Sequence, residues 1–158
     1  PTGPDGDCGA PTMLVRAPSG RQILIAGQKS AEVHAMDPDT GEVIWSRRLG
    51  RGGIIGGVHW GMAANEALGL LFVPISDKEL EGFPAPGDPA PGLYALDIET
   101  GAQRWVYTRP SRCERTECVF GLSAAVTATN DVVVIGSMDG MLEVLDAHSG
   151  AVVWSHDA

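Results

Sequence analysis

Alternating apolar and polar positions recur along this chain in short runs, and the clearest run occurs three times. The copies are VHAMDPDTGEVIW at Val33–Trp45, LYALDIETGAQRW at Leu93–Trp105 and LEVLDAHSGAVVW at Leu142–Trp154. In each copy an apolar stretch leads to an Asp, a Gly follows four residues later, and a Trp follows four residues after that. Alternation with period two predicts strands, and the Asp-to-Gly segment between them predicts a turn. The pattern therefore predicts three equivalent β-hairpins.

The first copy shows what each hairpin is expected to bury. The Gly supplies the positive φ that the turn needs, and the Asp with its following Thr or Ser can bind turn amides. Because side chains alternate between the faces of a strand, Val33 and Ala35 are predicted to share one buried face with Val43 and Trp45. One buried Trp in each repeat is typical of sheets that stack on one another.

The hairpins lie about 60 and then 49 residues apart, counted from Gly41 to Gly101 to Gly150. This spacing suits four-stranded blades arranged radially, which form a β-propeller. We therefore expect an all-β partial propeller domain over residues 1–158, with about twelve strands in three blades. The expected blades are residues 10–47, 57–107 and 121–157, and the three hairpin tryptophans should occupy equivalent packed positions. The second and third blades should begin with strands at Val58–Ala64 and Gly121–Thr129.

The net charge and the hydropathy of the chain argue against a nucleic-acid partner and against a membrane span. The formal net charge is −9, which argues against a nucleic-acid partner because such proteins need clustered Lys and Arg. No apolar run approaches the length of a membrane span. The chain begins at Pro1 rather than Met, so we expect a longer parent protein.

Three cysteines bear on the redox compartment. Cys113 and Cys118 lie five residues apart in a polar loop, a separation that a small disulfide can close. Metal binding is the alternative, but zinc would need another pair of Cys or His nearby, and the sequence has no C-x-x-C. We favour the disulfide, which implies an oxidising compartment. Cys8 would then be an unpaired thiol.

Few residues stand out as candidates for chemistry from their pattern alone. His59 lies beside Trp60 after a run of five glycines, where a propeller would place both near its central channel. A buried structural histidine is the alternative interpretation. The sequence contains no H-x-x-x-H, H-E-x-x-H or G-x-S-x-G motif, and Lys29 in GQKS can equally be a solvent-facing hairpin residue.

Taken together, these residues resemble a known family. The pattern A-x-D-x-x-T-G-x-x-x-W, complete in the first two copies and altered at Val144 and Ser149 in the third, resembles the tryptophan-docking motif of the pyrroloquinoline quinone (PQQ)-dependent alcohol dehydrogenases. The stretches GPDGDCGAPTML, AGQKSAEVHAMDPDTGEVIWSRRLGRGG and GGVHWGMA look most like the polyvinyl alcohol dehydrogenase branch. The resemblance covers nearly the whole chain.

The resemblance implies a fold, an activity and a set of partners. The fold would be an eight-bladed propeller of which this chain is the C-terminal three-blade part, with the remaining blades as its partners. PQQ and a calcium ion would lie in the channel of the full-length enzyme, alcohols would be oxidised in the periplasm, and electrons would leave through a cytochrome. The substrate would be polyvinyl alcohol or another secondary alcohol.

The resemblance also assigns site residues. Lys29 matches the family's cation that binds the ortho-quinone oxygens, where an ammonium would stabilise the negative charge that develops during reduction. His59 falls where many relatives have Asn before Trp60, so both residues are candidates for cofactor binding. The family's vicinal Cys pair, calcium ligands and catalytic Asp match nothing here, and Gly6 stands where relatives carry a large residue.

Two hypotheses follow for the function. The first is part of a PQQ-dependent alcohol dehydrogenase that is inactive as an isolated piece, binds no cofactor alone and contains no catalytic or metal-binding residue. The second is a non-catalytic propeller that binds proteins, as outer-membrane assembly scaffolds do with the same repeat. Lys29 with GGVHW favours the enzyme, because a scaffold needs no cation and aromatic pair at the channel.

Overall fold

The computed structural model describes residues 5–112 and 118–158, and its strands form three sheets. The first sheet contains β1 (Met13–Arg16), β2 (Gln22–Gly27), β3 (Glu32–Met36) and β4 (Val43–Arg48). The second contains β5 (Ala63–Asn65), β6 (Leu70–Ile75), β7 (Gly92–Asp97) and β8 (Gln103–Tyr107). The third contains β9 (Thr127–Ala128), β10 (Val132–Gly136), β11 (Met141–Asp146) and β12 (Val152–Asp157). Sequential strands pair antiparallel in each sheet, which confirms the predicted three four-stranded sheets. Within the described ranges, no helix has the length and hydropathy needed to cross a membrane.

The repeated hairpins join the third and fourth strands of each sheet. In the first hairpin, Asp37 Oδ1 accepts hydrogen bonds from the backbone N–H groups of Asp39 and Thr40, each at 3.1 Å. Gly41 follows with φ +73°, a conformation that favours glycine. Asp97 and Asp146 make the same bonds in the other two hairpins. The predicted role of the Asp and Gly is therefore confirmed.

The predicted burial of Val43 is wrong, and a β-bulge explains why. Trp45 lies opposite Ala35, but Val43 lies opposite Met36, so one extra residue separates the two pairs on β4. The bulge places Val43 and Trp45 on opposite faces of the sheet. Val43 is therefore exposed, whereas Val33, Ala35 and Trp45 are buried as predicted.

The apolar core lies between consecutive sheets. One cluster joins the inner faces of the first and second sheets and includes Ile25, Val33, Leu71 and Leu96. Another joins the opposite face of the second sheet to the third sheet and includes the fully buried Phe72. The second sheet is thus covered on both faces, and every residue of β6 is buried. Each sheet depends on its neighbour for its core, as stacked repeats require.

The strands that open the second and third sheets are shorter than predicted. The segment Val58–Met62 is not part of β5, because Val58 donates its backbone N–H to Gln28 O in the preceding sheet. In the same way Leu122 donates to Ile75 O, and β9 contains only two residues. These segments are held by hydrogen bonds between sheets and therefore do not extend the first strand.

The third hairpin tryptophan departs from the prediction of equivalent packing. Trp154 lies opposite Val144, as Trp45 lies opposite Ala35 and Trp105 lies opposite Ala95. Trp45 is 9% exposed, but Trp154 is 49% exposed. The positions are equivalent in register, but Trp45 and Trp105 donate to the hairpin of the next sheet, whereas the Trp154 ring stacks on His156 and stays half exposed.

Candidate functional site

Lys29 lies on the bend between β2 and β3, and two carboxylates hold its side chain. Its Nζ lies 2.8 Å from Asp5 Oδ2 and 3.2 Å from Asp7 Oδ2, and the side chain is mostly buried. Its backbone N–H also donates to Asp7 O at 2.9 Å. A buried ammonium needs such partners, because burying an unpaired charge is costly. The segment that precedes the first sheet therefore fixes the position of Lys29.

The pairing shifts both pKa values in favour of the charged forms. The hydrogen bond with Asp5 raises the pKa of Lys29 above its usual range, although partial burial opposes this shift. The hydrogen bond from Lys29 in turn lowers the pKa of Asp5. At neutral pH the site thus contains a charged ammonium beside an ionised carboxylate.

His59 and Trp60 lie beside this pair, on the segment between Gly57 and β5. The His59 Nδ1 lies 2.7 Å from Ser123 Oγ, and the two rings of His59 and Trp60 lie 4.9 Å apart between centroids. A Cβ on Gly9 would lie 2.7 Å from His59 O and 3.7 Å from Lys29 Cδ, so this glycine backbone touches both residues. The structure thus brings Lys29, His59 and Trp60 to one place.

The setting of His59 favours its neutral form. Partial burial lowers the pKa of His59, the nearby Lys29 charge lowers it further, and Asp5 opposes the shift. A neutral imidazole with Nδ1 at the Ser123 hydroxyl keeps its other ring nitrogen for a second partner. Trp60 presents more than half of its side chain to solvent, so its ring face is free to contact a planar ligand.

The glycine run packs against the bend that carries Lys29. Gly53 donates its N–H to Lys29 O at 3.0 Å. A Cβ on Gly57 would lie 2.4 Å from Lys29 O, and Gly57 has φ +61°. Only glycine allows so close an approach of two backbones. The run therefore positions the bend.

A buried carboxylate that sequence analysis did not identify fastens this run. Asp77 Oδ1 accepts the N–H groups of Gly52 and Gly57 at 3.1 and 3.2 Å. Asp77 Oδ2 accepts those of Arg51 and Ala90, each at 2.9 Å. Asp77 is only 3% exposed and has φ +46°. One side chain thereby joins the second sheet, the glycine run and the segment that precedes β7.

The third sheet has a carboxylate at the equivalent position. Asp77 and Asp139 each lie five residues after equivalent positions on β6 and β10, at Phe72 and Val134. Asp139 accepts the N–H of Arg112 at 3.1 Å and forms a two-point ion pair with the Arg109 guanidinium at 2.6 and 2.9 Å. A carboxylate in this position thus fastens the segment that enters from the preceding sheet. Aligning the three blades on their strands would have revealed both residues.

Sequence analysis also did not identify Asp5 and Asp7 as site residues. The signal available was the short D-x-D spacing near the N-terminus, which alone is too weak to indicate a site. Among residues 5–112 and 118–158, no three His, Cys, Asp or Glu side chains are arranged to hold a metal ion. Cys113 lies outside these ranges, so its predicted bond to Cys118 stays a prediction.

The residues present fit the chemistry of an ortho-quinone cofactor. Lys29 offers an ammonium for carbonyl oxygens, and Trp60 offers an exposed indole face beside it. The Asp5 carboxylate balances the charge of the Lys29 ammonium until a ligand oxygen competes for its hydrogen bond. Among the described residues, this set consists of one ammonium and one exposed ring.

Comparisons with known proteins agree with this fold. The model of the family described as outer membrane protein assembly factor BamB (PQQ_2) matches residues 10–158. A polyvinylalcohol dehydrogenase from Pseudomonas sp. is 41% identical over 156 residues, which are 96% of this chain and 23% of that protein. A polyvinylalcohol dehydrogenase from Sphingopyxis sp. (strain 113P3) is 32% identical over 99% of this chain and 24% of that protein. The chain thus spans about a quarter of the length of these relatives.

A solved structure supports the fold. The quinohemoprotein alcohol dehydrogenase from Comamonas testosteroni matches 97% of this chain and 21% of its own length, with a TM-score of 0.68 and 21% identity. At that identity the likeness shows the fold alone, and it confirms the β-propeller architecture predicted from the repeat. The chain belongs to the PQQ_2 family of propeller repeats, and its homologues include the quinoprotein alcohol dehydrogenases.

Proposed function

We propose that this chain is part of a PQQ-dependent dehydrogenase that oxidises polyvinyl alcohol or another secondary alcohol. The observation that carries the proposal is the mostly buried Lys29 ammonium, paired with Asp5 beside His59 and Trp60. Lys29 ties down the segment before the first sheet, and its fixed ammonium is also placed to meet a charged or carbonyl-bearing ligand. Similarity to a quinohemoprotein alcohol dehydrogenase supports a quinone as that ligand.

Within this proposal each residue has a distinct role. When bound, PQQ supplies a two-electron acceptor for the alcohol. Lys29 stabilises the negative charge that develops on a carbonyl oxygen during reduction, because its ammonium is already positioned. Asp5 is ionised and lies at the same place, so it can accept the proton that alcohol oxidation releases. If Lys29 donates to another acceptor, Asp5 loses a hydrogen bond and becomes a stronger base.

The remaining parts of the proposal rest on the homologues. Because the chain spans about a quarter of their length, we infer that it is inactive alone and that further blades complete the ring and supply the calcium ligands. A periplasmic location and a cytochrome acceptor are part of the same proposal.

A protein-binding scaffold is the second candidate function. The description of the matching family as an assembly factor favours it, because that class uses the same repeats. Protein binding by the repeats, however, does not require a lysine that two carboxylates fix at the bend between β2 and β3.

The test is substitution at the Lys29–Asp5 pair in the full-length parent protein loaded with PQQ and calcium. We expect Lys29→Ala to lower turnover by about 10²–10³, the typical loss for one preorganised charge-stabilising donor. Asp5→Asn should lower turnover and change its pH profile, because the amide cannot accept a proton. Lys78→Ala is the control, since Lys78 is the other lysine of the chain and its backbone pairs with Ile55 rather than with the Lys29 bend.

Full activity in Lys29→Ala would contradict the assignment of Lys29. Absence of alcohol oxidation in the loaded, folded parent protein would contradict the dehydrogenase function and favour the scaffold.

A further inference from the structure

His59 and Ser123 occupy equivalent positions on the segments that enter the second and third sheets. His59 lies four residues before the first residue of β5, and Ser123 lies four residues before the first residue of β9. The residues just before them, Val58 and Leu122, both donate their backbone N–H to the preceding sheet. The two segments therefore follow the same course, and the hydrogen bond between His59 Nδ1 and Ser123 Oγ joins them.

The equivalent position on the first sheet is Gly9, four residues before β1. A Cβ on Gly9 would lie 2.7 Å from His59 O, so this neighbour of His59 can have no side chain without a shift of the backbone. Among residues 5–112 and 118–158, Ser123 Oγ is the only hydrogen-bond partner of the His59 ring. The third sheet therefore controls the orientation of this imidazole.

The distance between His59 Nδ1 and Ser123 Oγ indicates which atom donates. It is 2.7 Å, whereas His34 Nδ1 lies 2.9 Å from Ser46 Oγ. Hydroxyl donors prefer heavy-atom distances of about 2.7–2.8 Å, and N–H donors prefer about 2.9–3.0 Å to oxygen. The described residues also offer the single Ser123 hydroxyl proton no other acceptor. The hydroxyl is therefore the favoured donor, which leaves the ring proton of a neutral His59 on Nε2.

A neutral donor suits the charges around His59. Partial burial and the nearby Lys29 ammonium both lower the pKa of His59, and Asp5 opposes the shift. A second positive charge beside Lys29 would be repelled, but a neutral imidazole still has one N–H to donate. Lys29 and His59 thus offer one charged and one neutral donor to the same ligand.

We propose that Ser123 is a positioning residue for His59. Its hydroxyl donates to His59 Nδ1 and keeps the ring proton on Nε2, which donates to an acceptor oxygen of the bound quinone. Ser123 acts through His59 in this role. The identity of the ligand rests on the proposed function, whereas the tautomer of His59 is a property of the protein without any ligand.

The first measurement is the tautomer, by nitrogen NMR of the full-length parent protein with isotope-labelled histidine and without PQQ. The signals that disappear in His59→Gln are those of His59, and we expect Nδ1 unprotonated and Nε2 protonated. Ser123→Ala should shift these signals toward a mixture of tautomers, and Ser123→Thr, which keeps the hydroxyl, should preserve them. Ser46→Ala is the matched control, because it removes the same kind of bond from the exposed His34 and should leave the His59 signals unchanged. A ring proton on Nδ1 of His59 in the unmodified protein would overturn the proposal.

The second measurement is the affinity for PQQ, from the quenching of tryptophan fluorescence in the calcium-loaded parent protein. Ser123→Ala should weaken binding by about 3–10-fold, which corresponds to the typical net contribution of one hydrogen bond. Ser123→Thr and Ser46→Ala should bind as tightly as the parent. Unchanged affinity in Ser123→Ala would overturn the proposal, and so would an equal loss in Ser123→Thr, because that result indicates a packing role. Absence of PQQ binding in the unmodified parent would contradict the proposed function, whereas a wrong tautomer would contradict this inference alone, so the two failures are distinguishable.

Discussion

Asp77 offers a sharp test of how one buried carboxylate supports the candidate site. We consider Asp77→Asn, because Asn tolerates the positive φ of this residue about as well as Asp does. The substitution keeps the size of the side chain but replaces one acceptor oxygen with an amide that can only donate. The change in unfolding free energy therefore reports the lost hydrogen bonds and not backbone strain or a change in side-chain volume.

The magnitude follows from the four hydrogen bonds that Asp77 accepts. The Asn oxygen should remain with Gly52 and Gly57, because those N–H groups are the more buried pair. The amide then faces the N–H groups of Arg51 and Ala90, which are partly buried and lose their acceptor. An unsatisfied buried N–H costs about 1–3 kcal/mol, and partial access to water places these two near the lower end. We expect a loss of about 2–3 kcal/mol, a large part of the roughly 5–15 kcal/mol of a typical domain.

The assay is urea unfolding at one fixed protein concentration, monitored by circular dichroism. With a slope of about 2 kcal/mol per M, the midpoint should fall by about 1–1.5 M with little change in slope. Asp39→Asn is the matched control, because it makes the same change of charge on the exposed first hairpin and should shift stability by about 0.5 kcal/mol at most. If Asp77→Asn unfolds at the same urea concentration as this control, the four hydrogen bonds do not hold the glycine run.

Two further predictions concern the third sheet and its neighbouring loop. Burial alone would raise the pKa of Asp139, but hydrogen bonds from Arg109 and Ser137 outweigh it and hold the pKa well below its usual value. The stability from this group is therefore complete above the unfolded pKa of about 3.9 and is lost as the pH falls below it. Urea midpoints measured from pH 5 to pH 2 should fall less steeply in Asp139→Asn, and equal slopes would refute the ion pair. Alkylation without reductant should label Cys8 only, because Cys113 and Cys118 are predicted to be bonded, and mass spectrometry that finds both labelled would disprove the bond.

The sequence was sufficient to predict the sheets because the repeat contains its own turn chemistry. Asp37 and Gly41 specify the hairpin locally, and the same offsets occur in all three copies. The error at Val43 came from the bulge on β4, which inserts one residue without a distinctive side chain. Alternation fixes which face a residue occupies only while the register is regular.

The candidate site was predictable only in part, for a similar reason. Lys29 was identified through the family resemblance, whereas Asp5 and Asp7 reach it from a loop whose path the sequence does not define. Asp77 lies at the start of a long insertion, so its equivalence to Asp139 becomes clear only when the strands are aligned by register. Side chains that bind backbone groups far along the chain leave no periodic signal.

Trp154 shows where a repeat stops being sufficient to predict packing. Its offsets from the hairpin Asp and Gly are the same as those of Trp45 and Trp105, and its register within its own sheet is the same. What differs is the presence of the next hairpin, which supplies both the glycine surface and the carbonyl that receives the indole N–H. Each repeat unit therefore provides one Trp and one hairpin surface, and the two form a contact only where another unit packs beside them. In the described structure the unpaired halves are Trp154 on the third sheet and the Gly41 hairpin on the first, so the rule that packs the interior leaves both of them open.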